Sequence, residues 1–394
     1  MSLKLSNNGY VVEYISTQPA IDECVEFLST TSRVALDLEF DRDRNAYGFN
    51  LCLIQACAGN RCFIIDPLEQ IDCNGFYRLL ENPTLQVLLH SHGEDLRLLH
   101  SLKCWPANVV DTEIAAKLLG FEKTSLAALL DTLLHVTLDK SQQKTNWLQR
   151  PLTPAQILYA SNDVIHLAAL KDLLTKEAEK KNLGTWINQE NEALSKVVFT
   201  ETVKESFLTA KDTKEFSPYH QFILNEWLKL RDGLAAKFNK PSYQVISPET
   251  IRDISTGKED VKNWTAVKGV YGKLKTNEYS EFFIRKHTEF IKAADSSSLS
   301  RSLREKKYLS PAEWETRKQF NAENERIKAE VFMPIKQRIV DIYGAGAASF
   351  ILSNSLAEEF ISGNLKLADL KPDYRKELIH SIASELKIDL APYC

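Results

Sequence analysis

The amino-acid sequence predicts an α/β domain followed by a region that is entirely helical. Five apolar runs have the length and composition of strands, near residues 10–15, 33–40, 50–57, 61–66 and 86–90. Segments with helical periodicity lie between and after these runs, which indicates helices packed over a sheet. Beyond about residue 207 only helical periodicity remains. At 394 residues the chain is long for one compact domain, so its length favours two or three.

The composition is that of an ordinary soluble protein, with 44% hydrophobic and 26% charged residues. Residues 1–8 lack the apolar core of a signal peptide, and no apolar run reaches the ~20 residues that a membrane span needs. We therefore expect a cytoplasmic protein that contacts no membrane, and no obligate protein partner is evident. The net charge of −4 does not exclude a nucleic-acid substrate, because phosphate binding depends on local basic patches.

The seven cysteines do not have the spacing of a disulfide framework or a zinc site, since their number is odd and no Cys-x-x-Cys pair occurs. Cys52, Cys57 and Cys62 are evenly spaced, but they lie in strand-like runs separated by the turn at 58–60. We expect them to be small core residues.

Two carboxylates interrupt the apolar run at 33–40. Side chains alternate along a strand, so Asp37 and Glu39 point to the same face, about 6–7 Å apart. Hard divalent cations prefer carboxylate oxygens, so the pair suggests a metal site. Arg42 could supply part of the counter-charge instead. The commoner explanation of so short a motif is a solvated strand end with alternating charge.

Further acids occur at helix positions downstream. Asp95 falls in the first turn of a helix that begins near Gly93. Another helix begins with Thr153 as its N-cap and Pro154 at its first position. Tyr159 and Asp163 are four residues apart on that helix and share one face.

In this order, the acids resemble the three motifs of the DEDDy 3′-to-5′ exonucleases, and the chain is similar to the ribonuclease D family over about residues 10–205. The likeness includes Asp111-Thr-Glu-Ile-Ala-Ala, Leu138-Asp-Lys-Ser and Trp147-Leu-x-Arg-Pro-Leu. His135 departs from the pattern, since relatives often carry a turn glycine there. The resemblance implies a ribonuclease H-like mixed sheet flanked by helices.

The helical half resembles the helicase-and-RNase-D C-terminal (HRDC) domain over about residues 215–295. Pro218 begins a long amphipathic helix, and Ser247 caps a short helix with Pro248 just inside it. A similar serine-capped helix at residue 353 suggests a second HRDC-like module, for which a family-specific helical tail is the alternative. We predict an exonuclease domain at 1–206, an HRDC domain at 212–295 and a second HRDC-like domain at 308–394.

The resemblance implies hydrolysis of phosphodiester bonds with two divalent cations, Mg2+ or Mn2+. Asp37 would bridge the cations, and Glu39 and Asp163 would complete the site that holds the attacking water. Asp95 would help to hold the second cation, and Tyr159 would orient the water.

Several residues are predicted to contact substrate: Phe40, Arg42, Gln55, His90, Lys140, Trp147 and Arg150. The opposing interpretation is that Trp147 belongs to the core and that the side chains of Lys140 and Arg150 are solvated. His90 and Gln55 would then make structural hydrogen bonds.

The predicted partner is RNA with a free 3′ end, such as a transfer-RNA precursor. Three basic clusters in the helical half are candidate RNA-holding surfaces: Lys229, Arg231, Lys237 and Lys240; Lys268, Lys273 and Lys275; and Arg301, Arg304, Lys306 and Lys307. Two alternatives remain, a 3′-to-5′ DNA exonuclease and an inactive nucleic-acid-binding module. The absence of a Gly-x-x-x-x-Gly-Lys-Ser/Thr helicase motif favours the RNA enzyme.

Overall fold

The computed structural model describes residues 3–139, 141–143, 145–200, 204–303 and 310–394. These residues form two compact units. The first contains residues up to 39 together with 51–200 and 310–394, and the second contains 40–50 together with 204–303. Within the described residues, no helix has both the length and the apolar character that a membrane crossing requires.

The first unit is built on a sheet of seven strands: β1 (Lys4–Asn7), β2 (Tyr10–Ile15), β3 (Arg33–Arg42), β4 (Phe49–Ala58), β5 (Arg61–Ile65), β6 (Gln86–Leu89) and β7 (Val109–Asp111). Their order across the sheet is β1-β2-β5-β4-β3-β6-β7. The sheet is mixed, because β1 and β4 are antiparallel to their neighbours β2 and β5, whereas β2 is parallel to β5, and β6 is parallel to both β3 and β7.

All five predicted strands are present, and two short strands were not predicted. β1 has only four residues, and Leu5 is its one apolar residue. β7 has three residues and pairs with β6 at the opposite end of the sheet. Its outer side meets helical side chains instead of another strand: Val109 N donates to Ser195 Oγ at 3.0 Å and Asp111 N donates to Asn191 Oδ1 at 3.0 Å.

Eight helices accompany the sheet: α1 (Gln18–Ser29), α2 (Asn74–Leu80), α3 (Gly93–Ser101), α4 (Thr112–Leu118), α5 (Leu126–Leu134), α6 (Pro154–Ile165), α7 (Leu167–Lys180) and α8 (Gly184–Ser195). The predicted helix over 154–180 is divided at His166. α5 ends at His135, which adopts the left-handed conformation with φ of 55°. This is the backbone geometry that a turn glycine adopts most easily, and here a histidine carries the strain.

The second unit contains α9 (Ala210–Glu215), α10 (Pro218–Phe238), α11 (Ser242–Val245), α12 (Pro248–Ser255) and α13 (Asn277–Ser296). Its core is aromatic, with the Trp227 ring 6.0 Å from Trp264 and 5.6 Å from Phe283. Segment 40–50 joins this unit through Tyr47, whose hydroxyl donates to Asp232 at 2.8 Å. The predicted starts of α10 and α12 are confirmed, because Ser217 and Ser247 cap them.

The C-terminal helices belong to the first unit: α14 (Pro311–Ile327), a π-helical turn (Lys328–Phe332), α15 (Met333–Tyr343), α16 (Ala345–Ile351), α17 (Asn354–Ser362) and α18 (Asp373–Leu386). α18 packs on α8, where Glu190 accepts hydrogen bonds of 2.6 Å from both Tyr374 and Arg375. The predicted fold class, a mixed α/β sheet domain with additional helical regions, is confirmed. The three predicted domain boundaries stay a prediction.

Candidate active site

Three carboxylates meet at the junction of strand β3 and helix α6. Carboxylate oxygens of Asp37, Glu39 and Asp163 lie within 4.8 Å of one another, and all three side chains are half-buried. The period-two spacing of β3 accounts for the shared face of Asp37 and Glu39, and α6 brings Asp163 to them. An all-oxygen donor set of this kind suits a hard divalent cation, so these three residues could hold a metal ion.

Asp95 adds a fourth negative charge from the first turn of α3. Its side chain is only 8% exposed, and its charge contributes to raising the pKa of Asp37. Asp37, Glu39 and Asp163 therefore meet in one cluster, and Asp95 acts on this cluster through its charge. Their roles as ligands stay a prediction.

The loop before α3 is tied to Asp111, and this connection was not predicted. Ser91 N and His92 N each donate to the Asp111 carboxylate at 3.0 Å, and the His92 ring contacts it as well. Burial acts to raise the pKa of Asp111, but these hydrogen bonds and the charge of His92 bring it below the ordinary value. Asp111 thus fixes the chain just before the helix that carries Asp95.

Burial raises the pKa of all four acids, and charges of other cluster members raise those of Asp37 and Glu39 further. Burial, followed by repulsion from Asp163 and Asp95, raises the pKa of Glu39 to about 8. Burial, followed by the charge of Asp111, raises the pKa of Asp95 to about 7. Burial alone raises the pKa of Asp163 to about 7, and burial with the charges of its neighbours raises that of Asp37. Part of the cluster is therefore protonated at neutral pH unless a cation is bound.

Tyr159 lies one helical turn before Asp163, and its ring is 6.1 Å from that of Trp147. Burial, followed by the charges of Asp163, Glu39 and Asp37, raises the pKa of Tyr159. The phenol therefore keeps its proton at neutral pH and is a hydrogen-bond donor beside the carboxylates.

Three other predicted substrate contacts are buried polar groups. Trp147 is 4% exposed and Gln55 is fully buried, while His90 Nδ1 lies 2.8 Å from Thr112 Oγ1. Within the described part of the chain, Trp147 Nε1, His90 Nε2 and both polar atoms of the Gln55 amide have no hydrogen-bond partner. Burial supports the opposing interpretation that Trp147 is a core residue. Substrate contact by these side chains stays a prediction.

Arg150 makes structural hydrogen bonds, and its predicted contact with substrate stays a prediction. Its guanidinium donates to both oxygens of the buried Asp66 and to the carbonyls of Trp147, Gln149 and Cys52. A guanidinium has five N–H donors, so these five hydrogen bonds use all of them. Arg150 therefore joins the stretch before α6 to the sheet.

Two further predicted substrate contacts, Phe40 and Arg42, pack against an aromatic ring, and their contact with substrate stays a prediction. Phe40 and Arg42 belong to the segment that groups with the second unit, where both contact Phe49: the Phe40 ring lies 5.1 Å away and Arg42 Cζ lies 4.9 Å above the ring. Lys140 falls outside the described residues. Cys52, Cys57 and Cys62 are buried thiols, as predicted.

Comparison with known proteins agrees with this geometry. The 3′-5′ exonuclease family model matches residues 12–179, which include all four acids and Tyr159. Residues 12–179 are thus similar to a 3′-5′ exonuclease domain. The exonuclease domain also accounts for the mixed sheet, and the predicted resemblance to ribonuclease D is confirmed by the relatives that the chain matches.

These relatives are ribonucleases D from several bacteria. The chain is 32% identical to ribonuclease D of Shewanella sp. over 239 residues, which cover 59% of this chain and 61% of that protein. It is 30% identical to the enzyme of Desulfotalea psychrophila over 246 residues, 61% of this chain and 66% of the relative. The first four relatives are matched over 42% to 66% of their own length, less than two thirds.

Two solved structures share the fold along nearly the whole chain. Escherichia coli RNase D, described as an exoribonuclease involved in structured RNA processing, has a TM-score of 0.64 at 21% identity and covers 94% of this chain and 98% of its own. A protein from Bifidobacterium adolescentis has a TM-score of 0.72 at 19% identity, with 94% and 96% covered. At these identities the likeness concerns the fold, including the helical regions beyond the exonuclease domain.

The raised pKa values predict a pH-dependent penalty in the metal-free protein. A carboxyl whose pKa is raised on folding binds more protons in the native state, so its contribution to stability falls as pH rises from about 4, the ordinary pKa, to about 8 for Glu39. Glu39→Gln should therefore stabilise the chelator-treated protein more at pH 8.5 than at pH 5, as measured by denaturant unfolding.

The difference in free energy of unfolding between variant and parent cancels the contributions of other titrating groups. Glu23→Gln, at an exposed position on α1, is the matched control and should show no such trend. A benefit of Glu39→Gln that is constant or smaller at high pH would contradict the raised pKa.

Proposed function

We propose that the protein is a metal-dependent 3′-to-5′ exoribonuclease of the ribonuclease D type that hydrolyses phosphodiester bonds at RNA 3′ ends. The observation that carries the proposal is the meeting of Asp37, Glu39 and Asp163 inside a matched 3′-5′ exonuclease domain. The names of the similar relatives support RNA as the substrate.

The proposed site takes two divalent cations, Mg2+ or Mn2+. Asp37 would hold both, Glu39 and Asp163 would hold the one on the side of the attacking water, and Asp95 would help to hold the other. When bound, such cations activate the water and offset the charge that develops on the attacking and leaving oxygens. The close approach of Asp37, Glu39 and Asp163, together with the charge of Asp95, supports this assignment, because the repulsion among these acids needs positive charge to offset it.

The chain's own residues then supply orientation. Tyr159 keeps its proton, so its hydroxyl can donate to the phosphate or position the water in line with the scissile bond. Hydrolysis adds water across the P–O bond, so the chain shortened by one nucleotide keeps its 3′ hydroxyl and the released nucleotide carries a 5′ phosphate.

The direct test uses 5′-labelled single-stranded RNA and DNA of the same sequence, incubated with the full chain in Mg2+, Mn2+ or chelator. We expect stepwise shortening of RNA from the 3′ end, loss of shortening in chelator, and at least a ~10²-fold lower rate for Asp37→Asn, because the substitution removes a ligand charge at the cluster.

The other outcomes identify the alternatives. Equal or faster shortening of DNA would make the protein a DNA exonuclease. Binding of RNA without shortening by the parent chain would make it a binding module. Shortening that survives both chelator and Asp37→Asn would mean that another site carries the activity.

A second prediction separates orientation from metal binding. Tyr159→Phe removes only the hydroxyl, so we expect about a tenfold or greater fall in the single-turnover rate with Mn2+ affinity close to that of the parent. Tyr243→Phe, at an exposed position in the second unit, is the control. A normal rate in Tyr159→Phe would remove the tyrosine from the mechanism, and a weaker Mn2+ affinity would make it a metal-site residue.

We propose that the second unit is an HRDC domain and that it holds the body of the RNA, which for a transfer-RNA precursor lies beyond the 3′ end. Lysines and aromatic rings alternate on one of its surfaces. Lys237 Nζ lies 5.7 Å from the Phe238 ring and 5.8 Å from that of Tyr279, and Lys240 Nζ lies 4.9 Å from the Tyr271 ring. Such surfaces suit phosphates and unpaired bases.

Two other predicted members of this basic surface fit less well. Arg231 is half-buried, and burial lowers its pKa, while Lys229 is paired with Glu226 at 2.8 Å. In the third cluster, Arg304, Lys306 and Lys307 lie outside the described residues.

A cytoplasmic location fits the seven cysteines, which are all free thiols.

The double variant Lys237→Ala/Lys240→Ala should weaken RNA binding and reduce the slope of log affinity against log salt by about 2, roughly one for each lost phosphate contact. Lys286→Ala is the control, because that lysine is already paired with Glu289 at 2.7 Å. An unchanged salt slope in the double variant would exclude this surface from RNA binding.

A further inference from the structure

The N-terminal hairpin contacts the helix that carries Tyr159 and Asp163. Asn7, the last residue of β1, directs its amide nitrogen to three acceptors on α6. The nitrogen lies 2.7 Å from Asn162 Oδ1, 2.8 Å from Ser161 Oγ and 3.4 Å from Leu158 O. β1 was absent from the strands predicted from the sequence, and no role was assigned to Asn7.

These acceptors surround the helical turn between the two proposed catalytic residues. Successive residues of an α-helix are about 100° apart, so Tyr159 and Asp163 share one face, whereas the acceptors at 158, 161 and 162 lie on the neighbouring one. Asn7 therefore binds this turn on the face next to the one that carries Tyr159 and Asp163.

The backbone that carries Asn7 is well fixed. The next two residues, Asn8 and Gly9, have φ of 48° and 84°, the pattern of a tight two-residue hairpin turn. Glu13 of β2 pairs with Lys4 of β1 at 2.8 Å and with Arg61 of β5 at 2.7 Å. The hairpin is thus bound to the sheet, and Asn7 transmits that position to α6.

The apolar and capping contacts of α6 do not fix the rotation or the axial position of the middle of the helix. Its buried residues Ile157, Ala160 and Val164 set its distance from neighbouring elements, but apolar packing has no preferred direction. The capping box of Thr153 and Gln156 fixes only its first turn. Hydrogen bonds are directional, so the Asn7 contacts define the rotation and the axial position of the middle of the helix.

We infer that Asn7 is a positioning residue of the exonuclease site, which acts through α6 to hold Asp163 and Tyr159 against Asp37. The inference rests on the proposed function, since the position of α6 matters here for metal binding by Asp163 and for hydrolysis. Asn7 is not assigned any contact with RNA.

The test compares Asn7→Ala, Asn162→Ala and their combination in the full chain, with Ser6→Ala, at an exposed position of the same strand, as the control. The readouts are Mn2+ affinity in the absence of RNA and single-turnover shortening of 5′-labelled RNA at saturating metal. A displacement of about 1 Å can cost up to ~10²-fold in rate, so we expect each alanine variant to lose about tenfold.

The pattern across readouts distinguishes positioning from support of the fold. In both single variants, Mn2+ affinity should fall together with the rate, and the RNA concentration at half-maximal rate should change less than about twofold. The rate of the double variant should lie within about twofold of the slower single variant, because both substitutions remove the same interaction. Ser6→Ala should match the parent. A lower thermal midpoint with parental rate and Mn2+ affinity would overturn the inference.

Two features keep the test decisive. If Asn7→Ala does not fold, Asn162→Ala carries the test alone, because alanine favours the helix at that position. If the parent chain does not shorten RNA, the proposed function fails, whereas the Mn2+ affinities of parent and variants still decide whether Asn7 positions the acids.

Discussion

Electrostatic repulsion among four acids is the constraint on which the site depends. Asp37, Glu39, Asp95 and Asp163 come from one strand and two helices, and each is held where its charged form is disfavoured. Their approach must be imposed by the surrounding fold. The anchors are hydrogen bonds from elements outside the acid cluster: Asp111 accepts from the loop before α3, and Asn7 donates to the middle of α6.

Much of the site was predictable because its signals are local. The period-two spacing of Asp37 and Glu39, the proline and threonine at the start of α6, and the four-residue spacing of Tyr159 and Asp163 all act within one element. Family resemblance then joined these motifs into one site. The mixed order of the sheet also came from that resemblance, since periodicity fixes strands but not their neighbours.

The features that escaped prediction depend on partners distant in the sequence. The pairing of Arg150 with Asp66, which lies 84 residues earlier, has no signal in the sequence. β1 and β7 are too short to show a pattern. The grouping of residues 310–394 with the first unit rests on contacts such as that of Glu190 with Tyr374 and Arg375, which sequence spacing does not reveal.

The end of the sheet at β7 has a bearing on how the protein behaves at high concentration. A terminal strand normally presents unpaired N–H groups that can recruit a strand from another molecule, the first step towards aggregation. Here the side chains of Ser195 and Asn191 accept from Val109 and Asp111, so α8 occupies the hydrogen-bonding positions that a foreign strand would use. Two polar side chains on one helix thus protect the β7 edge of a largely apolar sheet from edge-to-edge association.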